Sequence, residues 1–467
     1  MADGGPALPK TATNLPEMSR ISRLASSMPQ GGGTGRVLPT DADFERHPKE
    51  PVLNDIPSPS VPAAAGNAGG NGAPRVAIYT EAFAADPHGH YRAMRQRYGA
   101  LAPVDLAPGV PATLVLGYRL AVRILHDENR FPADPSMWEL GVPAECPVRP
   151  MMESRPNAIR SAGADHQRYR LPITAALSGI DLHRIHEIVE DSAAPLIDAF
   201  STVGHCDVVS QYAKPVTIDV LNSLLGCDPE ISERAATGAA RMLDSGADAA
   251  DGTRILLAAL QELIWIKRGD PGSDITSSLI AHPVGLSDEE VLHQLVLLYA
   301  AGSSPPQNLI TTALLTMLTD DRFGSGLFSG SLSTQDALDE VLFNDPPMAN
   351  YCITYPRLPV LLGDVWLPAH QPVVISMAAC NHDPDIRTGD LTGNRSHLAF
   401  STGPHACPAR TLGYLIAQDA IDQLLDRIPE MSLTVSAPDL VWRPGPFHRA
   451  LAALPVTFHP NTPTRHR

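Results

Sequence analysis

The chain has 467 residues, 43% hydrophobic and 18% charged, enough to bury a sizeable core in one large domain or a few average ones. Its formal net charge of −16 argues against nucleic acid and anionic membrane surfaces as partners. Six dispersed cysteines with no Cys-x-x-Cys spacing argue against a zinc site or a disulfide framework and fit a reducing cytoplasm.

The opening MADGGPALPK lacks the apolar core of a signal peptide. Residues 1 to 75 are rich in Gly, Pro, Ala and Ser, with runs such as Gln30-Gly31-Gly32-Gly33. Such a segment buries too little apolar surface to offset the entropy of ordering. A disordered extension is expected, within which Met18 to Met28 could form a short helix. From residue 76 the periodicity is mostly helical. Pro87 to Tyr98 places Tyr91, Met94 and Tyr98 at helical spacing, and Leu182 to Phe200 and Val216 to Leu225 are amphipathic. Short strands are expected at Ala112 to Leu116, near Val360 to Leu367 and at Pro372 to Met377, with a helix through Val122 to Leu125. No apolar run approaches membrane-spanning length; the richest, Val291 to Ala301, is interrupted by His293 and Gln294, so a soluble protein is expected.

A long helix is expected from Ser287 to about Leu318, opened by a Ser287–Glu290 capping box. Its middle reads Ala300-Ala301-Gly302-Ser303-Ser304-Pro305-Pro306-Gln307-Asn308, and the two prolines remove backbone donors, which should kink it sharply. A further helix, Asp336 to Phe343, precedes Asp345-Pro346-Pro347. Near the C-terminus the loop Phe400-Ser401-Thr402-Gly403-Pro404-His405-Ala406-Cys407 runs into an amphipathic stretch, Pro408 to Arg427. Pro408 suits the first helical position, where a missing N–H costs nothing. The Cys407 sulfur would then lie at the positive end of a helix, which favours thiolate over thiol. A thiolate held this way is a soft anionic ligand suited to iron.

Phe400, Gly403, His405, Cys407 and Ala409 stand at the spacing of the haem-ligand loop of the cytochrome P-450 family. Residues 76 to 460 resemble its soluble, actinobacterial-type members. The resemblance implies a mainly α fold with a minor β region, residues 76–467 forming the haem domain behind the extension 1–75. It implies haem b (iron protoporphyrin IX) with Cys407 as the iron ligand, a thiolate that favours O–O cleavage. His166 and Arg170 match the family's H-x-x-x-R, one helical turn apart, and with His405 are the implied propionate contacts. Phe400 and Gly403 belong to the same haem-binding loop. Ala301 and Gly302 match the start of the motif on the helix over the distal haem face, so Ala301, Gly302, Ser303 and Ser304 are expected to border the oxygen site.

The chain departs from the family in several places. Ser304 stands where the acid belongs and Pro305 where the threonine belongs, leaving Ser303, Ser304, Gln307 and Asn308 as water anchors. In the E-x-x-R signature Glu340 is present but Phe343 replaces the arginine, and losing one partner of a buried ion pair normally costs about 3–5 kcal/mol. Arg387 and Arg395 are the expected replacement partners of Glu340. The usual arginine of the following β region is absent; Thr354 stands near its place, with Arg357 three residues on. Met137, Trp138, Leu140, Met151 and Met152 either line a hydrophobic pocket or belong to the core. The implied function is a cytoplasmic monooxygenase that puts one oxygen atom into a small hydrophobic organic substrate, with electrons from NAD(P)H through a ferredoxin reductase and a ferredoxin. The missing acid, alcohol and arginine point alternatively to a catalytically weak haem-binding sensor or interaction protein, and a peroxide-driven oxidase is a third reading.

Overall fold

The computed structural model describes residues 74–243, 249–323, 332–386 and 394–461. The expected disorder of the N-terminal extension, the short helix at Met18 to Met28, and Arg387 all lie outside these residues. Pro74 and Arg75, assigned to the extension by composition, are tied to the body. Tyr98 donates to the Pro74 carbonyl, and Arg75 donates to the carbonyls of Val104 and Ala112.

The described chain begins with β1 (Val76–Ala77), α1 (Glu81–Ala85), α2 (Pro87–Tyr98) and the antiparallel pair β2 (Leu101–Asp105) and β3 (Pro111–Val115). Then come α3 (Tyr118–Leu125), α4 (Ser136–Glu139), α5 (Arg149–Met152), α6 (Gly163–Ser178), α7 (His183–Ser201) and β4 (His205–Asp207). Helices α8 (Lys214–Leu225), α9 (Pro229–Leu243), α10 (Ala249–Gly269) and α11 (Ile275–Ala281) lead into α12 (Asp288–Thr319) and α13 (Thr334–Asn344). The remainder carries β5 (Asn350–Thr354), the hairpin of β6 (Val360–Leu362) and β7 (Val365–Leu367), β8 (Val373–Ser376), α14 (Met377–Asn381), α15 (Arg410–Arg427), β9 (Met431–Leu433) and β10 (Pro455–Phe458). The expected mainly α fold with a minor β region is what the chain adopts.

The main sheet has the order β1-β2-β3-β8-β5, with β3 and β8 parallel. Alternation along its strands sends side chains to two separate cores. Leu114 and Val374 join one; Val115, Val373 and Ile375 join the other. The larger core is helical and gathers apolar residues of α7, α8, α12 and α15, among them Ile197, Val220, Leu295 and Ile421.

Helix α12 starts where the sequence signals it, at the Ser287 N-cap with its reciprocal Glu290 capping box. It then runs unbroken through Pro305 and Pro306, so the double proline does not end it. Burial along both halves outweighs the local cost. The carbonyls of Ala301 and Gly302 nevertheless lose the N–H partners that residues four further on would supply. Helix α15 starts at Arg410 with Ala409 as its N-cap, so Pro408 precedes the helix instead of opening it.

Candidate active site

The loop before α15 is a tight hairpin. Cys407 N–H donates to the Phe400 carbonyl at 2.8 Å, and Ala406 N–H to the Gly403 carbonyl at 3.0 Å. Gly403 sits at φ +74°, where a Cβ would come within 2.6 Å of the Leu125 carbonyl oxygen. Only glycine lets the loop lie so close to the end of α3. Phe400 packs under the Arg410 guanidinium and beside the His397 ring.

Cys407 ends this hairpin with its side chain exposed, yet burial by the surrounding protein pushes its thiol up. Both hold for a thiol that opens onto a cleft walled by the protein. The expected thiolate-favouring helix end is therefore corrected. The helix begins three residues beyond Cys407, and desolvation outweighs the hydrogen bond from Ala409 N–H and the charges of Arg170 and Arg410. An iron ion would itself reverse this balance, because metal coordination stabilises the thiolate.

The H-x-x-x-R pair and His405 converge beside the loop. Arg170 donates to the Ala406 carbonyl. The His166 and His405 rings stack at 3.9 Å between centroids. Between them lies Glu128, which nothing in the sequence marked; its Oε1 is 3.1 Å from His405 Nε2 and 3.6 Å from His166 Nδ1. These approaches lack hydrogen-bond geometry, for Glu128 Oε1, His166 Nε2 and His405 Nε2 are buried without a hydrogen-bond partner among the described residues. Burial lowers His166 and takes His405 down to about 3, with the neighbouring Arg170 adding to both, and burial raises Glu128.

On α12, Ala301 is exposed in mid-helix although its neighbours are buried or half-buried. Ser304, Pro305 and Asn308 share its face at helical spacing, and Asn308 Nδ2 donates to Ser304 Oγ at 3.4 Å. Two expected members fall elsewhere. Gly302 faces α8, where a Cβ would lie 2.9 Å from Leu221 Cδ1. Ser303 is buried across the helix from Ala301, its Oγ turned to the Ala300 carbonyl at 3.5 Å. A rotation of about 100° per residue separates them from the Ala301 face.

The expected replacement of the E-x-x-R network is also corrected. Glu340 pairs with Arg322, at 2.7 and 2.9 Å, near the surface. Arg395 instead bonds Asp339 at 2.8 Å, and the Tyr414 hydroxyl donates to the same carboxylate at 3.0 Å. Asp339 is buried, so the inward acid is the residue before the one the motif marks. Phe343 is buried, and so is Asn381 beside its backbone. Asn381 donates to the carbonyls of Leu342 and Phe343 and accepts from Leu398 N–H. Of the pocket candidates, Trp138 and Met152 are core, Met151 is half-buried against them, and Met137 and Leu140 are exposed.

The donor set fits a haem: one accessible thiol, two imidazoles with unsatisfied ring nitrogens, and Arg170, which no carboxylate pairs among the described residues. No protein-family model matches the chain. A cytochrome P450 monooxygenase, PikC, from Streptomyces venezuelae is 30% identical over 399 residues, spanning 80% of this chain and 92% of the relative. Cytochrome P450 107B1 from Saccharopolyspora erythraea is 27% identical over 398 residues, spanning 82% and 98%. Among solved structures, CYP154C4 from Streptomyces sp. ATCC 11861 superposes with a TM-score of 0.75 at 26% identity, covering 83% of this chain and 98% of that one.

Proposed function

The chain belongs to the cytochrome P450 superfamily, a haem-dependent monooxygenase by its relatives, and on that premise we propose that Cys407 is its iron ligand and that Ser304 serves its oxygen site. The observation that carries the reading is the accessible Cys407 thiol at the end of a hairpin fixed by Gly403. Bound there, the haem supplies dioxygen activation, from which one oxygen atom enters the substrate and the other leaves as water. Arg170 and the two imidazoles would hold its acidic edge. Ala301, exposed and lacking bulk, would leave room at the oxygen site. Ser304 Oγ and the donor-free carbonyls of Ala301 and Gly302 offer anchors for a water that carries protons, a task for which no carboxylate stands on this stretch of α12.

We infer a small hydrophobic organic substrate and electron supply from NAD(P)H through a ferredoxin reductase and a ferredoxin. The six unpaired cysteines support a cytoplasmic setting. Among the described residues no helix is long and apolar enough to cross a membrane. The test is Cys407→Ala, which should abolish the red-shifted band of the reduced CO complex. A variant that keeps that band would overturn the ligand assignment.

A further inference from the structure

We propose that Arg160 is a haem-propionate partner, taking over the role of the arginine missing from β5. Neither Thr354 at the end of β5 nor Arg357 beyond it supplies a buried cation. Thr354 is buried with its Oγ1 on the Val373 carbonyl at 3.5 Å, and Arg357 is exposed. Arg160, in contrast, is only 6% exposed and pairs with no carboxylate among the described residues. A buried guanidinium in that state is costly unless an anion joins it.

Its placement is prepared. Asn157 Oδ1 accepts the N–H groups of Ile159 and Arg160 at 3.1 and 3.0 Å, and Ser161 Oγ donates to the Asn157 carbonyl at 2.8 Å. This turn stands beside the haem loop, near enough that both the Ala158 backbone and the Arg160 charge bear on the His405 ring. The guanidinium donates to the Met151 carbonyl and, at 2.6 Å, to the Tyr351 hydroxyl, and lies 5.5 Å from the Tyr351 ring centroid. Tyr351 belongs to β5, three residues before Thr354. The strand thus still contributes, by holding a cation that comes from the segment before α6. Haem brings two carboxylates to this edge. His166 and His405 offer N–H donors and Arg170 one positive charge, while Glu128 adds a negative one. Arg160 adds a buried cation to the half-buried Arg170, one for each propionate.

The inference rests on haem being seated through Cys407. Haem transfer from the holoenzyme to excess apomyoglobin is followed by absorbance for the wild type, Arg160→Gln and Arg160→Lys. The series is repeated on protein reconstituted with haem dimethyl ester, whose propionates carry no charge. Arg160→Gln should release native haem about 10- to 100-fold faster than wild type, the loss of a charge-assisted hydrogen bond. Arg160→Lys should recover part of the retention, and the ester should leave all three at one rate. Equal release of native haem by Arg160→Gln and wild type, or an equal penalty with the ester, overturns the proposal. Should Arg160→Gln fail to fold, Tyr351→Phe decides: faster release of native haem alone supports the role, and an unchanged rate removes it. A wild type without the red-shifted CO band would instead count against Cys407.

Discussion

Single residues decide which acid near α13 matters. Asp339 is buried and takes bonds from both Arg395 and Tyr414, whereas the Arg322–Glu340 pair is partly solvated. Asp339→Ala should therefore cost about 1–3 kcal/mol of stability, since it removes a buried carboxylate that accepts from both Arg395 and Tyr414. Glu340→Gln should cost under about 1 kcal/mol, as surface pairs do. Urea unfolding of the two variants separates them, and a larger loss for Glu340→Gln would restore the motif's own acid to the central place. The same one-residue resolution applies on α12. Ser304 shares the Ala301 face and Ser303 does not. Ser304→Ala should raise the hydrogen peroxide formed per NAD(P)H consumed, and Ser303→Ala should leave it unchanged. Equal ratios in both variants and wild type would remove the serine from proton delivery.

At the scale of elements, α6 and α12 are tied by a carboxylate that also caps the longer helix. Glu290 accepts from Ser287 N–H in the capping box and from Arg168 across to α6. The Arg168 hydrogen bond, with the cap behind it, holds the Glu290 carboxyl down at about 2, below its ordinary 4.5. The folded state thus binds this proton more weakly than the unfolded one. Its stabilisation is fully present above about pH 4.5 and is lost as the pH falls towards 2. Denaturant midpoints measured across that window should decline in the wild type, and Arg168→Ala should flatten part of the decline. The tie matters for function because α6 carries His166 and Arg170 while α12 carries Ala301 and Ser304.

Across the whole molecule, one cation joins three distant stretches of chain. Arg449 lies 3.4 Å from the Trp442 ring centroid, donates to the Ala84 carbonyl within α1, and stands 3.5 Å from Asp345 at the end of α13. His88 of α2 meets the same carboxylate at 2.9 Å. Burial alone would raise Asp345; His88 and then Arg449 hold it below the ordinary carboxylate range. Arg449→Ala should cost about 2–4 kcal/mol, because it removes the stacked stem and leaves Asp345 short of a cation. The urea midpoint checks this, and a change under about 0.5 kcal/mol would show the junction to be held by packing alone.

Much of this protein was legible in local pattern. Pro87–Tyr98 was bounded to the residue, because Pro87 suits a helix start and Tyr91 and Met94 share its inner face. The long helix was placed by its capping box, and the loop before α15 was singled out by the spacing of Phe400, Gly403, His405 and Cys407. Such signals act within one or two helical turns, so the chain's order preserves them. Partner choice does not work at that range. Asp339 finds Arg395 across 56 residues, Glu128 meets His405 from the far side of the chain, and Arg160 reaches Tyr351 across 191. Which of two adjacent acids turns inward, which of two serines shares the Ala301 face, and which arginine meets Tyr351 depend on how packed helices are rotated against one another. That rotation is set by burial over the whole core, and only the tertiary structure decides it.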